Sequence, residues 1–395
     1  MAEIFNEILS DTETAVRDTI RRFAVEVMRP IGKALDVLPA EDVIARDSML
    51  WEAHKKYADL GVNMFRADDS LSPAEAARIG ALSSEMMGWG DAGLAISLGL
   101  TGMPVNFAAM SGNSALIEKF TLDKVGCWAI TEPDHGSDIV DFNGVESNTG
   151  EKRRGNCVAK RDGDNIVISG QKSSWVSNGT IAQSAALFCA YEDDKGVQGG
   201  GVFLVPLDGR GVKRGKPTDK VGQRPLNQGE IFFDEVIIPA DHMIAGPDQY
   251  NAVLEATLTG ANGSMGSLFC GLARAALEHA VDYAKERRQG GKPIIEHQAV
   301  KTRLFEMFRK VEAARALNLR VVTHNAINPR LELAIASKVT STRTAMEVAT
   351  EAMFIYGGAG ITRENPIEKL MRDASVSVIE DGENTLLGLI AADRL

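Results

Sequence analysis

Close to the C-terminal end, the stretch VIEDGENT (378–385) sets Glu380 and Asp381 side by side, with Gly382 and Glu383 after them. A carboxylate can act as a general base toward carbon when a site holds it close and dry. The pair is therefore a candidate acid–base centre. Its residue types equally suit an acidic turn on a solvated surface.

Upstream lies YGGAGITRENPIEKLMRD (356–373). Its glycines invite a dinucleotide-binding reading, which needs G-x-G-x-x-G after a strand. Counting from Gly358, the sixth position is Arg363, and the preceding residues have helical spacing. The glycines predict a helix C-terminus followed by a tight turn. Two further polar segments stand out, WAITEPDHGSD (128–138) and GQKSSWVSNG (170–179). The first reads as a connecting loop at a strand edge. The second places Trp175 and two hydroxyls among strand residues, where a lone Trp suits a core.

The elements that must position these groups fall into three textures. Residues 1–125 read as helical. Ser10-x-x-Glu13 is a capping-box signature, the run from Val16 to Met28 has helical period, and Pro30 is expected to end it. Ser72-Pro73-Ala74-Glu75 repeats the device with proline at the first helical position. Residues 126–245 hold short β-rich runs, including a hairpin around Asp162-Gly163-Asp164, and predict an antiparallel barrel or sandwich. Residues 246–395 return to long amphipathic stretches and predict a helix bundle. The fold class is thus α+β and multidomain.

In type and order these segments resemble the acyl-CoA dehydrogenase family of flavoproteins across nearly the whole chain. Thr131-Glu132-Pro133 with Gly136-Ser137-Asp138 is similar to its TEPxxGSD loop. Trp175-Val176-Ser177-Asn178 resembles its aromatic-aliphatic-hydroxyl-Asn strand. Glu286-Arg287-Arg288 leading to Glu296-His297-Gln298 resembles its ERxxxG…EHQ segment. Gly357 through Pro366, Glu368, Arg372 and Asp373 resembles its GGxG…PxEKxxRDA run.

The resemblance implies noncovalent FAD between the β-domain and a C-terminal four-helix bundle. It places Trp128, Ile130, Thr131, Gly136 and Ser137 on the flavin ring, with Ser137 also near substrate. Trp175 would pack on the isoalloxazine, and Ser177 would approach N5. Arg287 and Gln298 would meet the FAD of a neighbouring subunit, which implies a homodimer or homotetramer, and Gly357 and Gly358 are further cofactor-binding positions. The implied reaction takes the α-proton of an acyl thioester onto a carboxylate and sends the β-hydrogen to flavin as hydride. An electron-transfer flavoprotein or similar acceptor is the expected partner.

Where the family reads aromatic-Glu-Gly-Thr, this chain reads Glu380-Asp381-Gly382-Glu383. Counting from Arg372-Asp373 makes Asp381 the base, Glu380 the replacement for a pocket aromatic, Gly382 a substrate contact and Glu383 the flavin-side residue. An extended segment would turn Asp381 to the flavin and Glu380 to solvent, the alternative being a Glu380 close enough to raise the pKa of the base. The alternative base position on the first bundle helix falls at Ala261-Asn262, which offers no carboxylate. These departures leave open a branched or alicyclic acyl-CoA, a carrier-protein thioester, nitroalkane oxidation, an elimination, or a non-catalytic interaction protein.

Composition limits the partners. The net charge of -11 argues against a nucleic-acid partner. Cys127, Cys157, Cys189 and Cys270 lack metal-ligand spacing and predict buried free thiols, with no metal. The uncharged stretch 92–117 contains Pro104, Asn106 and Asn113 and predicts buried helices rather than a membrane span. The acidic N-terminus lacks a basic leader, so the cytoplasm is the expected compartment.

Overall fold

The computed structural model describes residues 9–61, 71–140 and 155–395; the extreme N-terminus read above falls mostly outside these. Helices α1 (Asp11–Phe23), α2 (Arg29–Asp36), α3 (Ala40–Val43), α4 (Met49–Asp59), α5 (Pro73–Gly90), α6 (Ala92–Leu100), α7 (Gly102–Ser111) and α8 (Ser114–Lys119) come first. Both capping boxes form, at Ser10/Glu13 and at Ser72/Glu75. Pro30 does not end its helix. A π-helical turn, Ala24–Met28, shifts the hydrogen-bond ladder just before it, so the missing N–H falls in the first turn of α2.

Strands β1 (Gly126–Ala129), β2 (Cys157–Asp162), β3 (Asn165–Lys172), β4 (Ser184–Asp193), β5 (Gly196–Pro206), β6 (Val212–Arg214), β7 (Ile231–Pro239) and β8 (Met243–Ala245) form one sheet in the order β6-β7-β3-β2-β4-β5-β8. The hairpin forms as expected, with Asp162 opposite Asn165. The sheet is mixed rather than purely antiparallel. β1 and β2 share successive stretches of one edge of β4, and both run parallel to it. Those pairings join strands far apart in sequence, so no hairpin turn announces them. The GQKSSWVSNG reading also changes. β3 stops at Lys172, and Trp175 to Asn178 lie in a turn with one bridge, Ser177 to Gln228.

Alternation sorts the sheet's two faces. Trp128, Phe188 and Leu204 point into a core shared with Leu258 and Leu387 of the helical layer. Cys127, Cys189 and Val205 point into the opposite core. All four cysteines are buried and free.

The last part holds α9 (Pro247–Glu286), a two-strand ribbon β9 (Arg288–Gln289) and β10 (Lys292–Pro293), α10 (Gln298–Asn325), α11 (Leu331–Tyr356), α12 (Ile367–Val376) and α13 (Asn384–Ala392). Gly357, at φ +59°, ends α11 in a tight turn, so no dinucleotide loop forms there. Helix α5 crosses α9 closely. A side chain on Gly88 would collide with the Leu268 carbonyl, and one on Gly271 with the Glu85 carbonyl. The apolar stretch Ala92–Ser111 is long enough to cross a membrane, yet two-thirds of it is buried inside the protein.

Candidate active site

A cavity of about 590 Å³ opens between the sheet and the helices. Its walls come from α6, α9, the loop after β1, the segment 218–222 and the turn 376–382. Trp128, Ile130, Thr131, Gly136, Ser137, Trp175, Ser177, Glu380, Asp381 and Gly382 all line it. Residues predicted from three separate stretches of sequence thus meet in one place.

The loop after β1 is pinned from below. Lys172, wholly buried, reaches Glu132 at 2.6 Å and the carbonyls of Ile130 and Phe188 at 3.0 and 2.6 Å. His135 pairs with Asp138 at 2.9 Å, which in turn accepts the Gly136 N–H. Ser173 donates to the Thr131 hydroxyl at 2.8 Å. Ser177 accepts from Gln228 at 3.1 Å, so its own proton is left to donate into the cavity.

The carboxylate pair does not sit on an extended segment. Residues 377–382 form a turn, closed by the Asn384 N–H on the Val378 carbonyl at 3.0 Å. Asp381 takes a left-handed φ of +49° and Gly382 a φ of +99°. Asp tolerates that region; a side chain on Gly382 would also press to 2.7 Å from Leu387. Because the backbone turns, both carboxylates line the cavity, and Glu380 does not point to solvent.

Their surroundings differ. Glu380 accepts from Gln223 Nε2 at 3.0 Å. Burial pushes its carboxyl up to about 7, with the Asp381 charge adding to this and Gln223, Lys220 and Lys338 opposing it. The Asp381 carboxylate accepts no hydrogen bond among the described residues. Burial raises its pKa, and the nearby Lys338 ammonium pulls it back. Lys220 and Lys338 are themselves held down to about 8 by burial.

The turn is anchored from behind. Asp373 accepts the Gln223 N–H at 2.5 Å and binds Lys369 at 2.6 Å; Lys369 also reaches Asp91, the N-cap of α6, at 2.7 Å. One largely buried lysine thus fastens the N-terminal helices to α12. Sequence reasoning passed over Gln223, Lys220 and Lys338. Lys338 alone carried a signal, a single cation in the small-residue run LAIASKVTST.

Not every expected residue reaches the cavity. The Glu383 carboxylate caps α13 through the N–H groups of Thr385 and Leu386 at 2.8 and 3.1 Å, because the next helix starts there. It is not free to face a flavin; only its backbone N–H turns inward, to Ser137 Oγ at 3.2 Å. Arg287, Gln298, Gly357 and Gly358 lie exposed at the far ends of the bundle helices, away from the cavity. Arg287 makes no ion pair among the described residues.

Two family models match the chain: the acyl-CoA dehydrogenase middle domain over residues 127–236 and its C-terminal domain over residues 251–395. The mitochondrial short-chain specific acyl-CoA dehydrogenase of Bos taurus is 29% identical over 398 residues, spanning 98% of this chain and 90% of that protein. Butyryl-CoA dehydrogenase of Megasphaera elsdenii superposes with a TM-score of 0.82 at 25% identity, covering 99% of each chain. A glutaryl-CoA dehydrogenase of Mycobacterium smegmatis, solved with FADH2, shares the fold at a TM-score of 0.82 and 22% identity, over 98% of this chain and 95% of that one.

Proposed function

From the premise that the chain belongs to the acyl-CoA dehydrogenase family, whose members are FAD-dependent oxidoreductases, we propose that it oxidises a compact branched or alicyclic acyl thioester, with Asp381 as the base. The cavity suits FAD. Trp128, in its wall, has an indole N–H buried without a partner, and Trp175 keeps 60% of its surface exposed at the cavity edge. Thr131, Ser137 and Ser177 offer hydroxyls there. When bound, FAD accepts the β-hydrogen as hydride at N5.

The chain's own residues supply the rest. Asp381 takes the α-proton. Asp381 lines the cavity, and among the described residues its carboxylate has no hydrogen bond or ion pair to occupy it; this observation carries the assignment. Glu380 is tethered by Gln223 and is left to shape the pocket. The Asp381 backbone N–H has no acceptor among the described residues, so it can donate to the thioester carbonyl as enolate charge builds. Ser177 donates toward the hydride acceptor.

Two features support a compact acyl group. Asp is one methylene shorter than Glu, which retracts the carboxylate by roughly 1.3 Å given C–C bonds near 1.5 Å. Helices α6 and α9 contribute the small residues Ala95, Gly99, Ala261 and Ser264 to the cavity lining beside larger apolar ones, which leaves room for a branched group. The exposed Arg287, Gln298, Gly357 and Gly358 support FAD contact across subunits in a homodimer or homotetramer. An electron-transfer flavoprotein as acceptor and a cytoplasmic site of action complete the reading.

The test is an anaerobic screen of the yellow protein against linear, branched, alicyclic and aromatic-ring acyl-CoAs, with carrier-protein thioesters as a further arm. Bleaching fastest with branched or alicyclic substrates is expected. Bleaching by linear acyl-CoA alone contradicts the compact-substrate reading. Hydrogen peroxide from nitroethane, with no thioester response, would replace it with nitroalkane oxidation.

A further inference from the structure

Lys338 is wholly buried on α11, yet makes no ion pair among the described residues. Its ammonium donates to the Gly382 carbonyl at 2.8 Å and to Asn384 Oδ1 at 2.8 Å. Asn384 is oriented for this by donating its own amide to Thr342 Oγ1 at 3.1 Å, one turn along α11. The Asn384 N–H closes the 378–384 turn. A buried cation bound only to neutral acceptors is unfavourable unless negative charge lies close by. Here that charge comes from Asp381, Glu380 and Glu383, all on the turn it grips.

We propose that Lys338 is the positioning residue of the Asp381 carboxylate: its ammonium clamps the left-handed Asp381–Gly382 turn to α11 and supplies the positive charge that keeps Asp381 ionised. The inference rests on the base reading for its catalytic meaning, but not for its test. Two consequences of the geometry follow. The Gly382 carbonyl grip fixes the peptide next to Asp381, and so the direction in which its side chain leaves the turn. The charge field is reciprocal: a proton arriving on Asp381 removes part of what stabilises the Lys338 ammonium.

The other groups that bear on Asp381 can be named. Glu380 and Glu383 share its turn, and the Glu380 and Asp381 charges oppose each other. Lys220 faces it through Glu380. From α9 the facing side chain is Asn262, whose amide lies 3.5 Å from the Asp381 carbonyl, and from the β1 loop it is Ser137; both are neutral. Lys338 is thus the cation whose charge acts on Asp381.

Infrared pH-difference spectra of the oxidised holoenzyme read the Asp381 carboxyl directly, with each form referenced to the same form carrying Asp381→Asn. No substrate is needed. Lys338→Met should raise the Asp381 midpoint by about one pH unit, a tenfold change in its ionisation constant. Asn384→Asp keeps a partner for the lysine while neutralising its charge, and should move the midpoint the same way by a smaller step. Lys338→Arg should stay nearest the wild type. If Lys338→Met does not load FAD, Asn384→Asp decides. An unmoved midpoint in Asn384→Asp, and in Lys338→Met wherever it loads FAD, overturns the proposal. A shifted midpoint in a protein that no acyl thioester bleaches would keep the clamp and discard the substrate reading.

Discussion

Gln223 Nε2 donates to Glu380 Oε2 at 3.0 Å, so one of two adjacent acids is tied to a buried amide, while the carboxylate of its neighbour Asp381 has no hydrogen-bond partner among the described residues. This asymmetry divides their roles. It also makes Glu380 a stability element with a definite pH signature.

Burial raises the Glu380 carboxyl to about 7 in the folded chain, from an ordinary 4.5. The folded state therefore favours the protonated acid. That contribution is fully present below about pH 4.5 and is lost as pH rises through 7. Glu380→Gln removes the ionisation. The variant should gain stability over wild type between pH 5 and 8, by on the order of 2 kcal/mol. Thermal melts at both pH values check this; an equal difference at each would contradict it.

Lys172 should be far less replaceable than a surface lysine. Lys172→Met strands the Glu132 carboxylate in the sheet core, at a cost of about 3–5 kcal/mol. The loop from Ile130 to Ser137 should loosen with it. Urea unfolding and FAD retention measure both effects, and Lys172→Met with Glu132→Gln should recover much of the stability.

Ser177→Ala should retain FAD while lowering the rate of flavin reduction by about 10–100-fold, since it deletes a donor aimed at developing charge. Stopped-flow reduction separates this from lost binding. An unchanged rate would remove Ser177 from the hydride site.

Arg287→Ala should release FAD more readily than wild type at low salt, with wild type approaching it as salt rises, because a charge-assisted contact is screened. Gel filtration with flavin absorbance reads retention and assembly together. Equal retention at low salt would end the inter-subunit role.

Much of the fold was legible because its signals are local. The capping boxes at Ser10 and Ser72, the hairpin at Asp162 and the turn at Gly357 each follow from a few adjacent residues. The parallel pairings of β1 and β2 with β4 were not legible, since they join distant strands. Pro30 misled because the π turn that accommodates it has no sequence signature. At the site, the order of motifs brought Thr131, Ser137, Trp175, Ser177 and Asp381 together correctly. The orientation of Glu380 was missed because an alternating strand was assumed where the chain turns. Gln223 and Lys338 act on that turn from 157 residues and 44 residues away, and only the tertiary structure relates them.

The central claim is that Asp381, not Glu380, takes the substrate proton. The direct measurement is anaerobic mixing of Asp381→Asn and Glu380→Gln, each loaded with FAD, with an acyl thioester that bleaches the wild type. Asp381→Asn should stay yellow while Glu380→Gln bleaches. Bleaching of Asp381→Asn with Glu380→Gln yellow would reverse the assignment, and bleaching of both would place the base outside this turn.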